Sequence, residues 1–374
     1  MEAYLDNAAT TRAADEVAKV VTDIMLNDYG NPSSKHSKGF DAEKQVKHAA
    51  QIIAKTLKCD EKEILFTSGG TESNNMAIIE SAIANKRRGN HVIVSSVEHS
   101  SVKEPFRYLE ENGFNVTYLP VDNRGLVSVD ALKEALDEET ILVSVMLVNN
   151  EIGTIEPIKE LAEIAHIHGA FFHTDAVQAV GHIPVNVTVL GIDMLSASAH
   201  KFNGPKGVGF LYIRKGTDIH SLVDGGAQEF GMRAGTENIA AIVAMAEALR
   251  KNCAHMDETE SRLCKMENSF IHALNKAGID FIRNGADNHL PGNISISIKN
   301  ASGEMLLHRL DLKGICISTG SACDSVNTQV SHVIQAISVP EDYAAGTIRI
   351  SFGRNNHESD AQDIADAIVS ILKN

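Results

Sequence analysis

The chain has 374 residues, a formal charge of −15 from 34 Lys and Arg against 49 Asp and Glu, and a hydrophobic content of 43% without tryptophan. That apolar fraction over that length buries a core, gives room for two or three domains and excludes intrinsic disorder, while the acidic balance excludes a nucleic-acid or anionic-membrane surface, which needs clustered basic residues. No apolar run approaches the roughly 18 residues of a bilayer span, and MEAYLDNAATT has no basic region followed by an apolar block, so a soluble cytoplasmic protein is expected.

In chain order, short β-rich runs alternate with amphipathic helical stretches from about residue 62. Strands are expected at Ile64–Thr67, His91–Ser95, Val116–Leu119, Ile141–Leu147, Ala170–Thr174, Met194–Ser196 and Gly207–Ile213, with helices at Glu72–Ala84, Ser101–Glu111, Ser128–Leu136 and Ile158–His168. Strands separated by helices of this length need right-handed crossovers, which predicts an α/β fold with a mostly parallel seven-stranded sheet covered on both faces. The run ILVSVMLV is apolar without alternation, as a strand buried on both faces should be.

Near Gly235 the pattern changes. Apolar residues at helical spacing (Ile239, Ile242, Ala246, Leu249) predict one long helix from Thr236 to about Ala277, stopped by Gly278. Short strands are then expected at Gly292–Ile298, Gly314–Ser318 and Thr347–Phe352, and a last helix at Ser359–Leu372 opened by Ser359 and Asp360. This predicts a large domain over residues 14–257, and a smaller α+β domain from residues 258–374 with the N-terminal strand, residues 1–13.

Ligands of open parallel sheets bind beyond the carboxyl ends of the strands. Five expected strands end there in polar or ionisable residues: Gly69-Gly70-Thr71, Glu98-His99, Asn149-Asn150-Glu151, Asp175 with Gln178 one turn on, and His200-Lys201. Each has a plainer reading. The SGGTES turn serves equally as an ordinary helix N-cap or as an anion cradle; His99 alone reads as a loop histidine and Asp175 as a cap. Lys201, between a small-residue strand and a Gly/Pro turn, is the sharpest single residue, because an amine desolvated there becomes nucleophilic. Together they supply an anion cradle, a carboxylate, an imidazole and a lysine, the combination that pyridoxal phosphate needs. No Gly-x-Gly-x-x-Gly turn follows the first strand and no Walker A pattern occurs.

Five scattered cysteines (Cys59, Cys253, Cys264, Cys316 and Cys323) form no C-x-x-C pair, so neither a metal site nor a disulfide framework is expected. Four read as small, buried and inert. Cys323 is followed by the polar stretch DSVNTQ, a loop composition that predicts an exposed thiol; a small residue in a turn is the alternative.

The segments YLDNAATT, YGNPSSKHSKG, FTSGGTESNN, EHSSV, VNNEIGT, HTDAVQA, SASAHKFNGPKGVGFLY, RAGTEN, STGSAC and IRISFGR together resemble the cysteine desulfurases of the NifS/IscS type, fold-type I pyridoxal-phosphate enzymes of the class V aminotransferase group. The resemblance runs from about residue 4 to 354. It implies pyridoxal 5'-phosphate as cofactor, with Lys201 bonded to its aldehyde, Asp175 at the ring nitrogen, Gln178 at the ring hydroxyl and His99 stacked on the ring and moving protons. It implies phosphate contacts from the turn at Gly70 and from Thr71, Ser198 and His200, with Thr236 given across a homodimer interface. Asn150 and Arg349 would hold the substrate L-cysteine, Arg349 by its α-carboxylate; read alone, Arg349 is a strand residue in a surface ion pair. Cys323 would receive the sulfur as a persulfide and pass it to an acceptor such as an iron–sulfur scaffold or a tRNA-thiolation enzyme. A selenocysteine lyase, a partner-dependent enzyme or an idle scaffold with the same fold are the alternatives. Asp324 after the cysteine, Phe230 and Met232 near the expected interface, and Arg12 after YLDNAATT depart from the usual pattern. A carboxylate beside a thiol opposes its ionisation.

Overall fold

The computed structural model describes residues 3–319 and 330–373, so Cys323 and Asp324 lie outside the described residues. Strands in chain order are Ala3–Tyr4 (β1), Ile64–Thr67 (β2), His91–Ser95 (β3), Asn115–Leu119 (β4), Thr140–Ser144 (β5), Phe171–Asp175 (β6), Met194–Ser198 (β7), Gly209–Ile213 (β8), Phe281–Arg283 (β9), Asn293–Ile298 (β10), Ile315–Cys316 (β11) and Thr347–Ser351 (β12). Seven of them form one sheet in the order β2-β8-β7-β6-β5-β3-β4, parallel except for β8, which runs antiparallel to β2 and β7. Runs such as Thr140–Ser144 are buried at every residue, because helices cover both faces of a parallel sheet. Of the seven, β4 at one edge is the most open, with Asn115 and Tyr118 exposed and Leu119 buried.

The expected strands of this sheet appear, with ends shifted by up to three residues. The strand expected to reach Leu147 leaves the ladder after Ser144, and residues 145–148 continue as buried chain toward the site. The helix expected from Glu72 begins at Gly70 and contains a π-helical turn, Met76–Glu80. Ser81, where that turn ends, bonds its hydroxyl back to the Ala77 carbonyl, a contact that distorts helices.

Two helices without a counterpart among the expected elements, Asp15–Asn27 and Ser37–Leu57, pack on the helix Ile239–Ala254, with Ile24, Ala42, Ile239 and Ala240 forming their own small core. The single helix expected over 236–277 is two, Ile239–Ala254 and Met256–Lys276, broken at His255 (φ −117°, ψ 19°). The break lies where the chain changes partners. Ala241, Ile242, Met245 and Leu249 belong to the core of the seven-stranded sheet, whereas Leu263, Met266, Phe270 and Leu274 belong to a second core.

That second core lies on an antiparallel sheet of order β12-β10-β9, against which Met256–Lys276 and the final helix Glu358–Lys373 pack. The final helix starts one residue earlier than expected, and Asp360 accepts a hydrogen bond from the His357 N–H at 3.0 Å. β1 pairs in parallel with β11, which ties the N-terminal strand to the C-terminal third. Among the described residues no helix is long and apolar enough to cross a membrane.

Candidate active site

The carboxyl ends of β2, β3, β5, β6 and β7 face one cavity of about 310 Å³, closed on the far side by β12 and by the segment after β1. Gly70, Thr71, His99, Asn150, Asp175, Gln178, Ser198, His200, Lys201 and Arg349 all line it. The topology gathers them because successive parallel strands deliver their loops to the same edge.

At β2 the chain turns through Gly69 at φ +153°, ψ −175°, a region that side chains rarely allow. A Cβ on Gly70 would come within 2.7 Å of Val177 Cγ2, and one on Gly209 of β8 within 2.7 Å of Gly69 Cα. The turn thus packs on the β8 backbone at Gly69 and on the Val177 side chain at Gly70, leaving no room for a Cβ at Gly70 or Gly209.

Asp175 ends β6 with 5% of its surface exposed. Its Oδ1 accepts from the Val177 N–H at 2.9 Å within a turn, not at the start of the helix that a cap would open, and its Oδ2 accepts from Asn74 Nδ2 at 2.8 Å. A carboxylate has capacity for about four such bonds, so acceptor sites remain for a cationic donor. Lys201 follows β7 in the short turn Ala199–Lys201 and donates from Nζ to the carbonyls of Ala8 at 2.6 Å and Ala9 at 2.9 Å. Gln178 Nε2 donates to the same Ala8 carbonyl at 2.9 Å. The lysine backbone is held from behind, where His182 Nε2 donates to its carbonyl at 2.8 Å. Burial, then the charges of Lys201 and Lys206, lower the His200 imidazole to about 4, so it is neutral at pH 7. His99 caps the helix Ser100–Glu111, its Nδ1 accepting from the Ser101 N–H at 3.1 Å.

Arg349 comes from β12, with 3% exposure. It donates from Nη1 to the Asn150 carbonyl at 2.9 Å and from Nη2 to Asp6 Oδ1 at 2.8 Å, while its buried Nε has no partner among the described residues. Reading it as a surface ion pair is therefore wrong: the charge is inside. Glu151 and Ser331, also on the cavity wall, join through Ser331 Oγ to Glu151 Oε2 at 2.5 Å.

Thr236 is exposed and is not among the residues lining this cavity. Cys323 is outside the described residues. The other four cysteines form no disulfide among the described residues and are half-buried rather than fully buried as expected. Burial raises the thiols of Cys59 (to about 12), Cys253 and Cys264, which disfavours their reactive thiolate. Sequence reasoning missed Asp6 and Asn74, whose roles depend on contacts between distant segments. Glu98 was noted but given no role. It is buried beneath the site, and its carboxyl is raised to about 8, by burial first and then by Asp175 and Glu156.

This donor set fits pyridoxal phosphate, which requires an anion cradle, a carboxylate for a protonated ring nitrogen and an amine for an aldehyde. The glycine turn with Thr71, Ser198 and a neutral His200, the buried Asp175, and Lys201 on the same cavity meet the three needs.

Residues 3–364 match the family described as Aminotransferase class-V. A cysteine desulfurase IscS of Dictyoglomus turgidum is 49% identical over 373 residues, covering 100% of this chain and 95% of that protein. Among solved structures, a NifS-like protein superposes with a TM-score of 0.94 at 37% identity over 100% of both chains. Another, SspA in complex with cysteine, gives a TM-score of 0.83 at 35% identity over 94% of this chain and 98% of that one.

Proposed function

The chain belongs to the class-V aminotransferase family and is a pyridoxal-phosphate-dependent cysteine desulfurase, and on that premise we propose how its residues divide the work of taking sulfur from L-cysteine. When bound, the cofactor supplies an aldehyde for the substrate's amine and a cationic ring that takes up the electron pair left at Cα. Lys201 would be the amine for the aldehyde, Asp175 would keep the ring nitrogen protonated and Gln178 would hold the ring hydroxyl. Gly70, Thr71, Ser198 and His200 would hold the phosphate, and His99 would stack on the ring and carry protons.

Arg349 clamps the substrate's α-carboxylate, for which a planar guanidinium gives two parallel bonds where a lysine gives one point of attachment. Asn150, whose carbonyl already braces Arg349, borders the same position. Cys323, as thiolate, takes the sulfur. An S–S bond forms as the substrate's Cβ–S bond breaks, the electron pair stays with Cβ, and a proton added at Cβ and one returned to Cα complete alanine. A free thiol with a pKa near 8.5 is only a few per cent ionised at pH 7, so the site has to favour the thiolate.

The observation that carries this assignment is the convergence of Lys201, Asp175 and Arg349, from two different sheets, on one cavity. The experiment is to incubate the yellow protein with L-cysteine and a reductant and to measure alanine and sulfide. Both should appear in equal amounts, and neither should appear with Cys323→Ala. Absence of both from the wild type, with plausible acceptor proteins supplied, would defeat the assignment.

The working unit proposed is a homodimer in which Thr236, exposed on its own chain, reaches the phosphate of a second copy. A strict monomer with full activity would contradict this. The persulfide sulfur is proposed to pass to an acceptor protein serving iron–sulfur assembly or RNA thiolation.

A further inference from the structure

Asn74 is wholly buried in the helix Gly70–Asn75 and does not line the cavity. Its Nδ2 donates twice, to Asp175 Oδ2 at 2.8 Å and to Ser101 Oγ at 2.9 Å. A carboxylate only accepts, so Asp175 fixes which end of the amide faces it, and the Ser101 oxygen must accept the second N–H. The hydroxyl proton of Ser101 is then left to donate, and His99 Nδ1 lies 2.8 Å away. The Ser101 N–H reaches the same nitrogen. With two donors directed at it, Nδ1 is an acceptor, which places the proton of the neutral ring on Nε2. This orientation leaves Asn74 Oδ1 buried without a partner among the described residues. Such an acceptor is costly to keep, and a side chain serving only to fill space would not need it.

We propose that Asn74 is a positioning residue for the desulfurase: one amide group both fixes the Asp175 carboxylate and commits the Ser101 hydroxyl to His99. The two groups that would meet the cofactor ring are thereby set by the same side chain. This rests on the assignment of the site made above. Asp175, His200 and Lys201 at the ends of β6 and β7, Glu151 beyond β5, and His332 and Arg349 from the C-terminal part line the same cavity as His99, while Glu98 precedes it in the chain. Asn74→Leu also takes a donor from Asp175, whereas Ser101→Ala leaves the Asn74–Asp175 bond in place, so the two variants together separate the hydroxyl link to His99 from the hold on the carboxylate.

The test uses the cofactor-loaded protein labelled with ¹⁵N-histidine, the His99 signals being those lost in His99→Gln. Wild-type His99 should show a protonated Nε2 and an unprotonated Nδ1 at neutral pH. In Asn74→Leu the Ser101 hydroxyl is free to turn and accept from Nδ1–H, so the imidazolium forms more readily. Its titration midpoint should rise by roughly half to one pH unit. Ser101→Ala should shift it the same way, and Ser101→Thr, which keeps the hydroxyl, should leave it at the wild-type value. An unmoved midpoint in folded Asn74→Leu overturns the proposal, whatever that variant's activity. Should Asn74→Leu not fold, Ser101→Ala against Ser101→Thr decides the matter in the same way. A wild type that makes no alanine from L-cysteine would overturn the desulfurase assignment instead, and the His99 spectra would still decide the Asn74 link on their own.

Discussion

Arg349 and Asp6, 343 residues apart in the chain, meet through a 2.8 Å charge-assisted bond from Nη2 to Oδ1. The contact joins β12 to the segment after β1 and lays a nearly buried guanidinium against the cavity. Removing one partner of such a pair leaves an uncompensated buried charge, so Asp6 fixes the direction in which the fork points.

Arg349→Lys should raise KM for L-cysteine by about 10- to 100-fold, since the ammonium cannot reproduce the planar two-bond geometry. Steady-state alanine formation at several L-cysteine concentrations measures it. An unchanged KM would remove Arg349 from the carboxylate site.

Glu98 makes stability depend on pH. Burial raises its carboxyl to about 8, against the lowering donations of Ser95 Oγ and the Met146 N–H. Between the unfolded value of about 4.3 and 8 the folded protein holds a proton that the unfolded chain has lost, so this group's contribution falls as pH rises through that window. Glu98→Gln keeps an acceptor for both donors and removes the titration. The variant should match the wild type near pH 5 and exceed it by about 1–3 kcal/mol near pH 9, as read from urea unfolding at both values.

Gly209→Ala should weaken cofactor retention more than its size suggests. The new Cβ would come within 2.4 Å of the Ala197 carbonyl oxygen on β7 and 2.7 Å of Gly69 Cα, so β8 is pushed off both β7 and the turn after β2, and the backbone cradle is spoiled. Dialysis of the yellow protein against cofactor-free buffer should bleach the variant faster than the wild type. Equal retention would show that the turn tolerates the shift.

The alternation of short β-branched apolar runs with longer amphipathic helices made the seven-stranded sheet legible, because run length and β-branched content, not periodicity, separate a strand buried on both faces from a helix. The polar strand ends were legible for the same reason: a parallel sheet sends them to one edge. What the sequence did not show depends on long-range packing. The break at His255 is invisible in the apolar periodicity, which continues across it, and arises because the two halves serve different cores. Asp6 and Asn74 look like ordinary loop and helix residues until Arg349 and Asp175 are brought against them. The half-burial of the other cysteines likewise follows from packing, since a small residue fits either a core or its margin.

The central claim is that Cys323 receives sulfur from an amino acid held by this cavity. Intact-protein and peptide mass spectrometry of the cofactor-loaded enzyme, after L-cysteine and without reductant, tests it most directly. The account predicts the added mass of one sulfur atom on the peptide carrying Cys323, lost on reduction and absent in Lys201→Ala. Addition on Cys59, Cys253, Cys264 or Cys316 with Cys323 unmodified, or no addition while alanine accumulates, would contradict it.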